Sequence, residues 1–378
     1  MTRITAAWLD DPAAQRVCAI LQRAGYAAWF VGGCVRNTLL EVPVADLDIA
    51  TDATPDQMLA LAKAARVRAV PTGYDHGTVT FVIDGQPFEV TTFRKDVTTD
   101  GRRATVAFAQ DIREDAMRRD FTMNALYADA TGLVADPLGG MDDLRARRVR
   151  FIGDPQMRIK EDYLRILRFF RFTAWYGDPA LGIDADGLAA CAENHDGLEA
   201  LSAERITAEV LRLLAAPDPA PAVASFARIG GLMRILPGAD ADNLAVLVHL
   251  EAEAGVEPDP LRRLAMLGGQ VAAKLRLSKG EARALEAIKS EMPLPELAYR
   301  MGYGPARDAF LIECATLGQG LQPDCLSKLE KASRMVFPVA AVDLMPALSG
   351  PALGVALKQA EARWIASGFT LTKDELLG

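Results

Sequence analysis

The chain has 378 residues, of which 50% are hydrophobic and 24% are charged, a composition typical of a soluble globular protein with two or three domains. No apolar run reaches the length of a membrane span, and the N-terminal stretch MTRITAAWLDDPAAQ has acids where a signal peptide would be apolar. We therefore expect a cytoplasmic protein with no membrane partner, and the net charge of −8 argues against one that coats nucleic acid non-specifically.

Cysteine usage and local charge narrow the chemistry further. The five cysteines are odd in number and scattered, which argues against a disulfide framework or a zinc site, so any metal should be held by carboxylates. Residues 94 to 171 hold 16 Lys/Arg and 13 Asp/Glu, in contrast to the acidic whole. This local excess allows a surface that handles phosphate, although an ordinary solvated face fits the charge equally well.

Short strand-like runs are confined to the first 150 residues. In chain order we predict a helix in PAAQRVCAILQRAG, a strand in AAWFV, a helix in VRNTLLE, and strands in DLDIAT, GTVTFVI and PFEVTTFR. Asp84 and Gly85 supply the turn between the last two strands. Beyond Gly153 the pattern is helical, beginning with a predicted single helix in IKEDYLRILRFFRFTAWYG.

Asp46 and Asp48 lie two residues apart in a predicted strand, so both side chains should share one face. Two neighbouring carboxylates repel each other unless a divalent cation neutralises them, and their hard oxygens suit Mg²⁺. Glu89, an acid in the middle of an apolar strand, is the candidate third carboxylate for a two-metal phosphoryl-transfer site. The alternative interpretation of this Asp-Leu-Asp stretch is a solvated sheet edge.

A glycine pair precedes these acids. Gly32 and Gly33 follow a predicted strand and open a helix, which brings backbone N–H groups to a helix N-terminus where phosphate binds favourably. Arg36 in the first turn is suited to gripping a phosphate with two hydrogen bonds. Taken alone, the pair is as consistent with a plain tight turn.

Together these motifs resemble those of the nucleotidyltransferase superfamily, specifically the class II CCA-adding enzymes and their bacterial poly(A) polymerase relatives. The matching motifs are GGCVR with DLD, RRDFTMNA, DPLGG, EDYLR followed by further arginines, and SAERI, starting at residues 32, 118, 136, 161 and 202. The resemblance implies an α/β nucleotidyltransferase head with a mixed or antiparallel sheet, followed by an elongated all-α neck, body and tail. It also implies Mg²⁺ on Asp46 and Asp48, CTP and ATP as substrates, and the acceptor end of tRNA as partner, with no DNA.

The resemblance assigns reading of the incoming base to Asp162 and Arg165. A carboxylate accepts from the exocyclic amino group of cytosine or adenine while a guanidinium donates to the neighbouring ring nitrogen, and uracil and guanine reverse that pattern. Arg168 and Arg171 continue the spacing of three along what we expect to be one side of one helix, and belong to the same nucleotide site. Without the resemblance, a solvated helix face with internal ion pairs is the simpler interpretation.

The other implied site residues lie in RRDFTMNA. Arg119 is assigned to the nucleotide and its triphosphate, Asp120 to a ribose hydroxyl, and Asn124 to orienting these groups. The run FRKDVTTDGRRATVAF is polar and rich in turn residues, so we expect a mobile loop. The resemblance implies that a loop in this region is needed for the change from C to A addition. One departure from the family pattern is Asn37, where an aspartate is usual.

From these features we predict three parts. They are a catalytic head over residues 1–150, a helical neck over 151–215 that recognises the base, and a body and tail over 216–378 that bind tRNA, with Lys274, Arg276 and Lys279 as one candidate phosphate patch. The predicted activity is template-independent addition or repair of the tRNA 3′-terminal CCA, with release of pyrophosphate. A poly(A) polymerase, or a partial enzyme that adds only CC or only A, is the alternative.

Overall fold

The computed structural model describes residues 2–100, 103–345 and 347–378, and the side chains of residues 96–106 and 323 lie outside the description. The chain forms two compact units, residues 1–205 with 228–234 and residues 206–227 with 235–378. The predicted division into head, neck, and body with tail stays a prediction. In the described part of the chain, no helix combines the length and apolar character needed to cross a bilayer.

The strands of the first unit are β1 (Trp29–Val31), β2 (Asp48–Thr51), β3 (Arg68–Gly73), β4 (Thr78–Ile83), β5 (Gln86–Thr92), β6 (Arg94–Asp100), β7 (Arg103–Phe108), β8 (Tyr127–Ala128) and β9 (Val134–Ala135). Seven of them form a mixed sheet in the order β3-β4-β5-β2-β1-β8-β9, in which β2 and β5 are parallel and the other pairs are antiparallel. This confirms the predicted mixed-sheet α/β fold followed by helices.

Helices α1 (Pro12–Arg23) and α3 (Pro55–Ala64) pack on this sheet, and local signals set where they begin. Asp11 accepts from the backbone N–H of Ala13 to cap α1, and Thr54 forms a capping box with Gln57 at the start of α3. The helices of this unit are α1 (Pro12–Arg23), α2 (Gly33–Leu39), α3 (Pro55–Ala64), α4 (Ile112–Met117), α5 (Gly140–Arg145), α6 (Pro155–Glu161), α7 (Leu164–Tyr176) and α8 (Ala185–Asn194), with 3-10 turns at Tyr74–His76, Thr122–Asn124 and His195–Ala200.

The predicted turn between β4 and β5 is confirmed. Asp84 and Gly85 both have positive φ, 51° and 83°, as a two-residue turn matching the strand twist requires. The predicted loop after β5 is wrong over residues 94–100 and 103–108, which pair as the antiparallel strands β6 and β7. Their β-branched Val and Thr residues favour strands, which outweighs the turn residues around them. Gly101 and Arg102, between the strands, lie outside the described residues.

A second correction concerns the predicted single helix over residues 159–177. Helix α6 ends at Glu161 and α7 begins at Leu164, with Asp162 between them in an extended conformation at φ −156°. Asp162 therefore does not continue the helical series of Arg165, Arg168 and Arg171. It projects from the break between two helices.

The second unit is helical and holds a buried ionic cluster. Arg263 is 1% exposed, and it bonds Glu251 at 2.7 Å and the carbonyl oxygen of Leu214 at 2.6 Å. Arg262, fully buried, bonds Glu251 and Asp308. Helix α9 (Ala203–Leu214) begins in the first unit and continues into the second, α10 (Ala220–Arg228) lies in the second unit up to its last residue, and α11 (Gly231–Ile235) lies in the first unit up to its last residue. The second unit continues with α12 (Leu244–Glu253), α13 (Pro260–Leu267), α14 (Val271–Lys274), α15 (Lys279–Ile288), α16 (Leu294–Met301), α17 (Tyr303–Leu317), α18 (Pro323–Ser333), α19 (Ala341–Leu344), α20 (Gly350–Ala366) and α21 (Lys373–Leu377).

Candidate active site

The sheet brings two of the predicted carboxylates side by side. Asp48 opens β2 and is the Cα partner of Glu89 on the parallel strand β5, and both side chains are exposed while their neighbours Ile49 and Val90 are buried. Asp46 lies two residues before β2, so the shared face of Asp46 and Asp48 stays a prediction. The acids nonetheless form one electrostatic group, because both Glu89 and Asp46 act on Asp48.

The pKa of the Asp48 carboxyl is raised above its usual value, first by the dense protein around it and then by the negative charge of Glu89; Arg119 opposes the shift and Asp46 adds to it. Solvent still reaches the side chain. Hard carboxylate oxygens in mutual repulsion fit a divalent cation, which would relieve that repulsion. Within the described part of the chain, no three His, Cys, Asp or Glu side chains form a ready-made metal site, so the metal role of Glu89 stays a prediction.

The predicted glycine turn lies against Arg119. Gly32 has a φ of +73°, which favours glycine, and a Cβ built on it would lie 3.5 Å from the Arg119 Nη1 atom. Gly33 opens α2, and a Cβ there would lie 3.9 Å from the Arg36 Nη2 atom. The structure thus brings the glycine pair, Arg36 and Arg119 together, and the charge of Arg119 reaches Asp48.

Asp115 holds Arg119 in place and was not predicted. It is 1% exposed and accepts from Arg118, Arg119 and the Tyr127 hydroxyl, the last at 2.8 Å. Burial alone would raise the pKa of its carboxyl, but Arg119 and Arg118 outweigh burial and lower the pKa to about 2. Its spacing of three and four residues before the two arginines in IREDAMRRD was the available signal.

Arg36 turns its guanidinium inward and is only 7% exposed. It donates to the side-chain oxygen of Asn124 at 2.5 Å, to that of Asn37 at 2.8 Å and to the hydroxyl of Tyr176 at 2.8 Å, and it stacks over the Tyr176 ring. Burial lowers the pKa of Arg36. Its predicted grip on a phosphate stays a prediction, because these hydrogen bonds engage it with the protein.

Asn124 links Arg36 to Asp120, to which its amide donates at 2.9 Å. Arg168 also donates to Asp120, through two nitrogens at 2.8 and 2.5 Å. Burial opposes ionisation of Asp120, but the charge of Arg168 and these hydrogen bonds outweigh it and lower the pKa to about 2. Arg36, Asn124, Asp120 and Arg168 thus form one partly buried chain of hydrogen bonds. Arg168 and Arg171 both lie over the ring of Phe172.

The two predicted base-reading residues have different partners. Asp162 accepts from the backbone N–H of Leu164 at 3.1 Å and from Arg205 at 2.6 Å. Arg165 donates to the carbonyl oxygen of Arg158 at 2.6 Å and pairs with Glu161. Arg205 lies in the SAERI motif, and no role was predicted for it from the sequence.

The candidate phosphate patch lies in the second unit. Lys279 is exposed, Lys274 is half-buried, and Arg276 is exposed and lines an open cavity of about 810 Å³ together with Gln270 and Lys289. This arrangement leaves basic groups accessible without showing what they bind.

Residues 28–150 match the family described as Poly A polymerase head domain, and residues 181–243 match the one described as Probable RNA and SrmB- binding site of polymerase A. The mitochondrial CCA tRNA nucleotidyltransferase 1 of Mus musculus is 34% identical over 92% of this chain and 84% of the relative. A CCA-adding enzyme of Geobacillus thermodenitrificans is 40% identical over 58% of this chain and 52% of the relative. The crystal structure of the Bacillus stearothermophilus CCA-adding enzyme in complex with CTP superposes with a TM-score of 0.70 at 28% identity, covering 94% of this chain and 92% of that one. Motifs, fold and relatives agree that the chain belongs to the class II family of CCA-adding enzymes, the CCA tRNA nucleotidyltransferases.

Proposed function

We propose that this chain is a CCA tRNA nucleotidyltransferase that adds or repairs the 3′-terminal CCA of tRNA from CTP and ATP, without a nucleic-acid template. The observation that carries the proposal is the pairing of Asp48 with Glu89 across β2 and β5, within reach of the charges of Asp46 and Arg119. Relatives reported above carry the names of CCA-adding enzymes, which favours the complete reaction over poly(A) addition or a partial CC or A reaction.

Family membership implies a divalent metal, and we propose Mg²⁺ held by Asp46 and Asp48 with Glu89 beside them. When bound, the cation supplies charge neutralisation at the attacking hydroxyl and at the departing pyrophosphate. Arg119, fixed by Asp115 beside Gly32, is placed to attract the triphosphate. In this proposal the acidic side chains bind the metal, and Arg119 binds the phosphate.

We further propose that Asp120 binds a ribose hydroxyl, and that Asn124 and Arg168 fix the orientation of the Asp120 carboxylate. Asp162 accepts from the exocyclic amino group of C or A while Arg165 donates to the ring nitrogen. Both bases satisfy this pattern, so the pair rejects U and G without choosing between C and A. A mismatched base would leave buried polar groups unpaired, at roughly 1–3 kcal/mol each.

The helical residues from about 216 onward are proposed to hold the acceptor end of tRNA through backbone and shape contacts. The match of residues 181–243 to a probable RNA-binding family supports an RNA partner. A cytoplasmic location stays a prediction, and the relative in Mus musculus is mitochondrial.

The test offers purified protein a tRNA lacking its last three nucleotides, with the four nucleotides separately and together. We expect two additions with CTP alone, a third when ATP is added, and then arrest. Long A tracts without C would identify a poly(A) polymerase, and arrest after two C residues with ATP present would identify a CC-adding enzyme. A single A added only to tRNA already ending in CC would identify an A-adding enzyme.

A further inference from the structure

Asp162 is held from two directions at the break between α6 and α7. Its Oδ1 atom accepts from the backbone N–H of Leu164, which fixes one oxygen at the start of α7. Its Oδ2 atom accepts from Arg205, 43 residues further along the chain, at 2.6 Å. The carboxylate is therefore fixed at both oxygens, and only one of the two contacts is local.

We propose that Arg205 is a positioning residue that sets nucleotide specificity by fixing the carboxylate of Asp162, an inference that rests on the proposed function. Each carboxylate oxygen has two acceptor sites, so the bonds from Leu164 and Arg205 leave acceptor capacity for a ligand. The side chain of Asp162 is 28% exposed, so solvent reaches part of it. The incoming base would therefore bind an Asp162 carboxylate whose orientation is already fixed.

Arg165 is placed differently. It is 13% exposed and engaged by Glu161 and by the carbonyl oxygen of Arg158. Asp162 is thus paired with Arg205, whereas Arg165 is paired with Glu161, the other acid of the EDYLR motif. Both partners are charged in the bond from Arg205, and it is shorter than the bond from the backbone N–H of Leu164, 2.6 Å against 3.1 Å, so Arg205 restrains the carboxylate more.

Loss of this restraint should affect correct and incorrect nucleotides unequally. Cytosine gains a hydrogen bond from its amino group to the fixed carboxylate, whereas uracil presents a carbonyl oxygen that the carboxylate repels. A carboxylate free to turn away loses the first interaction and relieves the second. The ratio of kcat/KM for CTP to that for UTP should therefore fall by about ten- to a hundredfold, the range expected when a hydrogen bond to a charged group is lost.

The experiment compares Arg205→Met and Arg205→Lys with wild type, using tRNA lacking CCA for CTP against UTP, and tRNA ending in CC for ATP against GTP. Arg205→Met should reduce both ratios, and Arg205→Lys, which keeps one charged donor, should recover part of them. Arg212→Met on the same helix is the matched control, because Arg212 is 66% exposed and lies outside the nucleotide site. It should leave both ratios unchanged.

A general structural defect would lower incorporation of all nucleotides alike and leave the ratios at the wild-type value. Wild-type ratios in both Arg205 variants would therefore overturn the proposal. To test whether Arg205 acts through Asp162, the single variant Asp162→Asn is compared with the double variant that also carries Arg205→Met, in single turnovers with enzyme in excess. If Arg205 acts by this route, its loss should change the two ratios by less than about threefold beyond the change that Asp162→Asn causes alone. A larger added change would overturn that route, and wild-type protein that adds no C to the truncated tRNA would instead refute the proposed function.

Discussion

Asp48→Asn should stabilise the protein while removing its activity. Asp48 and Glu89 are neighbours on parallel strands, and Asp46 adds negative charge. Two like charges about 5 Å apart repel by about 1 kcal/mol in the high effective dielectric of exposed side chains. Replacing one carboxylate by an isosteric amide removes that repulsion, and about 1 kcal/mol corresponds to a rise of about 2–4 °C in Tm for a unit of this size.

The assay is thermal unfolding in EDTA and in Mg²⁺, alongside C incorporation into truncated tRNA. In EDTA the variant should melt above wild type; Mg²⁺ should raise the wild-type Tm and leave that of the variant nearly unchanged, because the cation site is incomplete. Incorporation should fall by about a thousandfold or more. Asp142→Asn is the control, since Asp142 is 91% exposed and paired only at the surface with Arg145. A variant that melts below wild type in EDTA, or that retains incorporation, would refute the reasoning.

Three further predictions concern stability, each measured as the free energy of unfolding in urea. Gly140→Ala should cost about 2 kcal/mol or more, because its Cβ would lie 2.2 Å from a backbone oxygen, whereas Gly354→Ala in α20 meets open space and should stabilise by about 0.5–1 kcal/mol; equal effects would contradict this account. Asp120→Asn should cost about 2 kcal/mol at pH 7, since the folded pKa lies at about 2 against 3.8. A pKa lowered by folding stabilises above about pH 4 and ceases to do so as pH falls towards about 2, so the difference between wild type and variant should shrink only in that window. Arg263→Met should cost about 3–5 kcal/mol by leaving the buried Glu251 undercompensated, and a cost under about 1 kcal/mol would show that the cluster can relax.

The strand-like apolar runs and the turn residues between them made much of the sheet predictable. The edge strand β3 and the break between α6 and α7 were not predicted. Strand β3 contains Pro71, which removes a backbone donor and argues against a central strand. The structure places β3 at the edge of the sheet, where a missing donor is tolerated. The strand was missed because edge position depends on strand order, which local pattern does not specify.

The sequence identified residues that the structure brings together in the candidate site, whereas their geometry depends on distant contacts. IKEDYLRILRFF has no glycine or proline to mark the break at Asp162. On the α6 side of that break, Arg158 donates to the carbonyl oxygen of Arg119, and at the break itself Arg205 bonds Asp162. Likewise, Arg36 is drawn inward by partners 88 and 140 residues away, so its position in GGCVR could not show that it would be buried.

The distribution of charge partners bears on how a nucleotide enters the site. Arg119 and Arg168 each face a buried aspartate, which offsets most of their charge, whereas none of the salt bridges among the described side chains involves Asp46, Asp48 or Glu89. The accessible part of the site is therefore negative where we propose that a triphosphate approaches. Arg119 and Arg168 already pair with carboxylates and compensate only part of that charge, so a triphosphate without a cation would be repelled. It follows that the proposed nucleotide requires the cation, whereas the cation can bind without it, so the Mg²⁺-dependent rise in the wild-type Tm reports the metal site that the nucleotide needs.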